Sequence, residues 1–199
     1  MVFLDLASRP PQTPVLHWSP IWLRPTQFSD FAAWRVLRDQ SRDHLTAWEP
    51  ALAPGDMTPE AFRRRVRAQW REIGRGTAAP FVILREADDA LVGAITLSNI
   101  RYGASRSASL GYWIGAPFTR RGYARAALAA TLDHAFRALN LNRVEAACQP
   151  ENLASRRLLE ATAFVLEGRA RRYLRINNFW RDHLLFAITS DEFAISGRN

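Results

Sequence analysis

The apolar positions of this chain follow two periods, one of about two residues and one of about 3.6, and they switch between them several times. Ile21-Trp22-Leu23-Arg24-Pro25 reads as a short strand stopped by proline. Phe31, Trp34 and Leu37 then recur at helical spacing behind Ser29-Asp30, which supply N-cap chemistry. A loop follows, with Trp48-Glu49-Pro50 and Pro54-Gly55 in it. Thr58-Pro59-Glu60 is a strong helix start: a cap, a proline at the first position and an acid in the first turn. Phe62, Val66, Trp70 and Ile73 form one stripe along that helix, and Arg63, Arg64, Arg65, Arg67, Arg71 and Arg75 cover its remaining faces, read as solvated.

Strand-like runs come next. Phe81 to Leu84 and Leu91 to Leu97 flank Asp88-Asp89, a plausible hairpin turn, and Ala108 to Ile114 is a third run. Gly122 to Leu139 reads as one long amphipathic helix with Ala124, Leu128, Leu132, Ala135 and Leu139 on one face. Arg143 to Ala147 is a strand and Asn152 to Thr162 a short helix. Phe164 to Ile176 and Phe179 to Thr189 flank Asn177-Asn178, a favourable two-residue hairpin turn. The order predicts a mixed α/β fold, with helices on both faces of a sheet.

The organisation is that of one domain over residues 21–190. A proline-bearing arm (Pro10, Pro11, Pro14, Pro20) precedes it over residues 1–20, and a tail follows over 191–199. A chain of 199 residues with 48% apolar side chains can bury a sizeable core without staples. The lone cysteine, Cys148, excludes an internal disulfide and a multi-thiolate metal site, and reads as a small core residue. The first residues lack a basic, apolar leader pattern, and no run reaches membrane-spanning length, so the expectation is a soluble cytoplasmic protein without membrane contact.

Charge narrows the chemistry. All 27 basic residues are arginine, so no lysine Schiff base, Walker lysine or catalytic lysine can operate. The net charge of +8 fits an anionic partner: a phosphorylated cofactor, nucleic acid or an acidic protein surface.

Two segments carry candidate chemistry. In Trp113-Ile114-Gly115-Ala116-Pro117-Phe118-Thr119-Arg120-Arg121-Gly122-Tyr123-Ala124-Arg125 a strand turns directly into the long helix. A helix start exposes unpaired N–H groups and the positive end of the helix dipole. Gly122 and Ala124 let an anion approach the backbone, and Arg120, Arg121 and Arg125 add charge, as a pyrophosphate site needs. A glycine-bearing turn with solvated arginines accounts for the same residues. The second segment, Pro150-Glu151-Asn152-Leu153-Ala154-Ser155-Arg156-Arg157-Leu158-Leu159-Glu160, has Asn152 as a natural N-cap, with Ser155 three residues on.

In order and spacing these pieces resemble the GCN5-related N-acetyltransferase (GNAT) superfamily, from about Ile21 to Thr189. The carriers are Leu110-Gly111-Tyr112-Trp113-Ile114-Gly115, Arg121-Gly122-Tyr123-Ala124, Pro150 to Ser155, Leu166-Glu167-Gly168 and Trp180-Arg181-Asp182-His183. With Trp48-Glu49-Pro50, they look most like the RimJ/RimL branch, which acetylates N-terminal amines of ribosomal proteins. The resemblance implies a GNAT fold, a mostly antiparallel sheet with splayed strands. It implies acetyl-CoA as co-substrate and no metal. The loop from Arg120 to Arg125 would hold the coenzyme A pyrophosphate. Backbone groups of Trp113 and Ile114 would pair with the pantetheine arm, which Asn152 would also bond. Ser155 would lie near the thioester sulfur. Leu159 stands where many relatives carry a tyrosine acid, leaving Ser155 as the donor to sulfur, and no carboxylate lies on Ala108 to Ile114, leaving Glu49 as the substitute base, acting directly or through water. The acceptor is then the N-terminal α-amine of a protein, with a small amine such as an antibiotic or polyamine as the alternative, and a non-catalytic module that docks on RNA or the ribosome as the reading from another class. The basic faces make ribosome contact possible, and both monomer and homodimer stay open. His183 is expected in a hydrogen-bonded structural role. Tyr173 is expected on one basic strand face with Arg169, Arg171 and Arg175.

Overall fold

In the computed structural model of the chain, residues 14–50, 52–53 and 55–196 are described. They build one eight-stranded sheet in the order β1-β2-β3-β4-β5-β6-β8-β7. The strands are β1 (Leu16–Trp18), β2 (Ile21–Arg24), β3 (Ala79–Arg85), β4 (Leu91–Arg101), β5 (Ser107–Ile114), β6 (Arg143–Cys148), β7 (Val165–Ile176) and β8 (Phe179–Thr189). Every neighbouring pair is antiparallel except β5 and β6. That parallel pair is short: Ser107 to Leu110 face Arg143 to Ala146, and pairing stops there. β5 nonetheless stays paired to β4 as far as Ile114, and β6 to β8 as far as Cys148. The sheet therefore opens into a wedge beyond Leu110. One edge of the wedge is the backbone of Gly111 to Ile114.

The helices are α1 (Phe31–Gln40), α2 (Arg42–Thr46), α3 (Pro59–Gly74), α4 (Tyr123–Asp133), α5 (Leu153–Ala161) and α6 (Ser190–Ser196). None among the described residues is long and apolar enough to cross a membrane. α3 begins where its cap chemistry predicts: Thr58 Oγ1 accepts from the Ala61 N–H at 3.2 Å, with Pro59 behind it. Its stripe of Phe62, Val66 and Trp70 is buried. These side chains pack with Trp34 and Leu37 of α1 on Val82, Leu84 and Leu91. The alternate positions of β3, Phe81 and Ile83, face the other core, with Leu128 and Leu132 of α4, Leu159 of α5 and Val144 of β6. β3 is thus buried on both faces, and the two faces carry two cores. Each such side chain contributes roughly 1.5–3 kcal/mol on burial.

Several elements differ from the sequence reading. Of the expected arm over residues 1–20, residues 1–13 lie outside the described residues, whereas Leu16 to Trp18 pair with β2. Of the tail expected over 191–199, residues up to Ser196 belong to α6. The Glu192 carboxylate there accepts from the N–H and hydroxyl of Thr189, and Phe193 packs on Phe136 at 5.3 Å. Asp30 does not cap α1: its carboxylate accepts from the Gln27 N–H and pairs with Arg24 at 2.6 Å. The long helix ends at Asp133 and continues as a wider π-turn over His134–Ala138. In β7 the register slips between Ala170 and Leu174, with Arg172 at φ 49°. Strict alternation therefore fails, and Tyr173 does not share a simple basic face with Arg169, Arg171 and Arg175. Tyr173 instead packs at a tilt on His183, with ring centroids 5.5 Å apart; His183 is buried and its Nδ1 lies 3.2 Å from the Arg181 carbonyl.

Candidate functional site

The wedge opens onto the start of α4. Gly122 caps that helix in the left-handed region (φ 81°), preceded by Arg120 at φ 60°. A Cβ on Gly122 would meet nothing within 4 Å, so glycine is required here by backbone angle, not by space. No side chain caps the helix. Its first-turn N–H groups, on Tyr123, Ala124 and Arg125, are left for a ligand. Arg120, Arg121 and Arg125 are exposed at the rim, while the Tyr123 ring is buried against Phe118 at 6.4 Å. Tyr123 thus offers its backbone and gives its ring to the core.

A cleft of about 780 Å³ runs from this helix start along the wedge. Its walls bring together every expected cofactor-side residue: Trp113, Ile114, Arg120, Arg121, Gly122, Tyr123, Ala124, Arg125 and Asn152, with Ser155 and Glu49. Asn152 caps α5, its Oδ1 accepting from the Ser155 N–H at 3.0 Å. The Ser155 hydroxyl lies 2.8 Å from the hydroxyl of Tyr112. Burial pushes the Tyr112 phenol up to about 12, partly offset by that hydrogen bond. It therefore stays protonated at any working pH, and either hydroxyl of the pair can donate to the other. Burial also raises the Cys148 thiol, with a hydrogen bond to Ser155 pulling the other way. Cys148 and Leu159 are core residues.

On the opposite face of β5 lies a second cavity of about 390 Å³, walled by α1, α3 and β4. Alternation along β5 sends Trp113 to this side and Tyr112 to the other. Trp113 packs with the core of α1 and α3, and Tyr112 with that of α4 and α5. Glu49, Tyr112 and Trp113 line both cavities. Both Glu49 carboxylate oxygens accept from the Arg38 guanidinium, which also sits over the Trp113 ring at 5.0 Å. The loop carrying Glu49 is fastened on two sides: the Ala47 carbonyl accepts from Gln149 at 2.9 Å, and the Thr46 carbonyl accepts from Asn177 at the β7–β8 turn. Ser41 Oγ accepts from the Ala116 N–H at 2.9 Å, tying α1 to the end of β5.

Tyr112, Arg38 and Ser41 are the site-building residues the sequence reading missed. Tyr112 was within reach, because a period of two along β5 faces it away from Trp113 and toward α5. Arg38 and Ser41 gave no signal, since their partners lie 11 and 75 residues away. Among the described residues no group of three His, Cys, Asp or Glu side chains could hold a metal ion.

A family model described as an acetyltransferase (GNAT) domain matches residues 21–165. A probable N-acetyltransferase of Bacillus subtilis, YjcK, is 31% identical over 178 residues, covering 89% of this chain and 98% of its own. The [ribosomal protein uS5]-alanine N-acetyltransferase of Escherichia coli is 30% identical over 82% of this chain and 86% of its own. Among solved structures, Mycobacterium smegmatis RimJ in complex with CoA-disulfide superposes with a TM-score of 0.82 at 36% identity, covering 93% of this chain and 94% of that one. The strand order, the β5–β6 wedge and these matches agree, and the chain belongs to the GNAT family of N-acetyltransferases.

Proposed function

We propose that the chain transfers acetyl from acetyl-CoA to the N-terminal α-amine of a protein, with ribosomal proteins the first acceptors to test. The observation that carries this reading is the meeting of the two cavities. The cleft lined by the α4 start and the smaller cavity lined by α3 share the walls Glu49, Tyr112 and Trp113. A thioester lying in the first then faces an amine arriving through the second.

Acetyl-CoA supplies the thioester that the amine attacks. The residues of the chain position and stabilise. N–H groups of Tyr123, Ala124 and Arg125 and the rim arginines take the pyrophosphate. The unpaired backbone edge of Gly111 to Ile114 takes the pantetheine amides, and a N–H there stabilises the oxyanion, an effect worth about 3 kcal/mol. Ser155 donates to the departing sulfur and is itself held by Tyr112. An α-amine ionises near 7.7–8.0, so a useful share is neutral at working pH. Each Glu49 oxygen keeps a lone pair beyond its bond to Arg38, enough to take the amine proton directly or through water.

The test is thiol release from acetyl-CoA on peptides beginning with Ala or Ser, beside the same peptides blocked at the α-amine and beside a polyamine. Release that requires the free α-amine supports the reading. Release on the polyamine alone transfers the chemistry to small amines.

A further inference from the structure

The acceptor-side cavity carries a guanidinium that has no hydrogen-bonding partner among the described residues. Arg63, Arg64, Arg67 and Arg71 of α3 are exposed, as expected of a solvated face. Arg65 is different: it is half-buried, lines the cavity beside Glu49 and Trp113, and lies over the Trp34 ring at 4.7 Å. Among the described residues it makes neither a hydrogen bond nor an ion pair; its weaker couplings are to Asp56, Arg38 and Glu49, and burial lowers its pKa most. Three charged side chains line this cavity, Arg38, Glu49 and Arg65. Glu49 is spent on Arg38, which leaves Arg65 without a counter-ion on the cavity wall, Asp56 acting on it only from outside the lining. A desolvated cation without a donor's partner is costly unless a ligand completes it. The cation–π contact with Trp34 offsets part of that cost but leaves the N–H donors without partners among the described residues.

We propose that Arg65 binds a carboxylate carried by the acceptor a short distance from its reacting amine. The inference rests on the acceptor reaching the thioester through this cavity. Arginine presents a planar fork that matches a carboxylate with two parallel hydrogen bonds, and that match is far weaker for an uncharged amide. The same positive wall disfavours protonation of an incoming amine, keeping more of it in the nucleophilic form. Thr96 and Ser98 of β4 line the same cavity and offer hydroxyls to the rest of the acceptor. Such a carboxylate has two sources: an Asp or Glu side chain near a protein N-terminus, or the terminal carboxylate of a small amino acid or dipeptide.

The experiment compares steady-state kinetics on matched acceptors. One arm uses amidated hexapeptides beginning with Ala that carry Asp or Asn at the second or third position. The other uses Ala-Gly with a free or an amidated C-terminus. The expected result is a kcat/KM preference of about tenfold or more for the carboxylate, expressed mainly in KM. R65Q narrows the ratio to within about twofold and R65K retains part of it, with acetyl-CoA affinity as in the parent chain showing that both variants are folded. Preference in the peptide arm identifies an acidic N-terminal segment. Preference in the dipeptide arm alone keeps the Arg65 assignment and overturns the protein-acceptor reading. Equal rates for Asp and Asn on peptides that are acetylated overturn the Arg65 assignment and leave that reading standing. Turnover of none of the acceptors overturns both.

Discussion

Removing the Ser155 hydroxyl separates the two roles open to the Tyr112–Ser155 pair. The phenol sits at about 12, whereas the departing thiol, like a cysteine, ionises near 8.5. Full proton transfer from tyrosine to thiolate runs uphill by about 5 kcal/mol. In the proposed reaction Tyr112 therefore orients Ser155 by donating to it, and the working contact is a hydrogen bond from Ser155 to developing negative charge on sulfur. Such a bond is worth about 1.5–3 kcal/mol. Ser155→Ala should lower kcat by about 10- to 150-fold, with acetyl-CoA affinity nearly unchanged. Tyr112→Phe leaves the serine in place and loses only its orientation, a neutral bond of about 0.5–1.5 kcal/mol. The double variant should be no slower than Ser155→Ala, because tyrosine acts through serine. Steady-state kinetics with acetyl-CoA and an Ala-initiated peptide, together with isothermal titration, read all four enzymes. A Tyr112→Phe effect as large as that of Ser155→Ala, or strictly additive losses, would refute the reasoning.

Three further outcomes follow from single residues. Gly122→Glu forces a side chain into a left-handed position and sets a carboxylate at the uncapped start of α4, so isothermal titration should show acetyl-CoA affinity falling by at least tenfold, and the backbone strain should lower the thermal midpoint by a few degrees while the chain stays folded at about 25 °C; unchanged affinity removes this helix from the site. Gly93→Ala places a Cβ 2.2 Å from the Trp113 backbone carbonyl, which cannot turn aside as a side chain would, and should cost about 1–3 kcal/mol in chemical denaturation while lowering turnover, because the displaced strand is β5. Burial lowers the His134 pKa, with Asp133 pulling partly back, so the unfolded chain takes a proton below about pH 6.5 that the folded chain refuses. Stability should therefore fall as pH drops below about 6.5, and His134→Phe, which keeps the edge contact to Phe81, should flatten that dependence in urea titrations at pH 7.5 and 5.5; parallel curves for the two proteins would exclude His134 as the cause.

Much of the fold was legible because burial in it is periodic. The α3 stripe and the alternation in β4 report which side faces a core, and the unbroken apolar run of β3 reports burial on both. The lining of the larger cleft was legible because it is local. A strand end, a left-handed glycine and a helix start lie within thirteen residues of one another, and Asn152 and Ser155 share one turn. What escaped was built by long-range contact. β1 is three residues whose only evidence is pairing with β2. Arg38, Glu49 and Trp113 come from a helix, a loop and a strand far apart in sequence. Arg65 looked like its exposed neighbours on α3, and only the packing of Trp34 beneath it sets it apart. β7 slips register twice, and the second slip, between Ala170 and Leu174, holds Arg172 at positive φ, for which sequence carries no warning.

The central claim is that acetyl-CoA lies in the β5–β6 wedge with its pyrophosphate on the start of α4. Amide hydrogen exchange with and without acetyl-CoA tests it most directly. The account predicts added protection at those N–H groups of Gly111 to Ile114 that point away from β4 into the wedge, and at Tyr123 to Arg125 of the uncapped helix start. Protection confined to other segments, with these two unchanged, would contradict it.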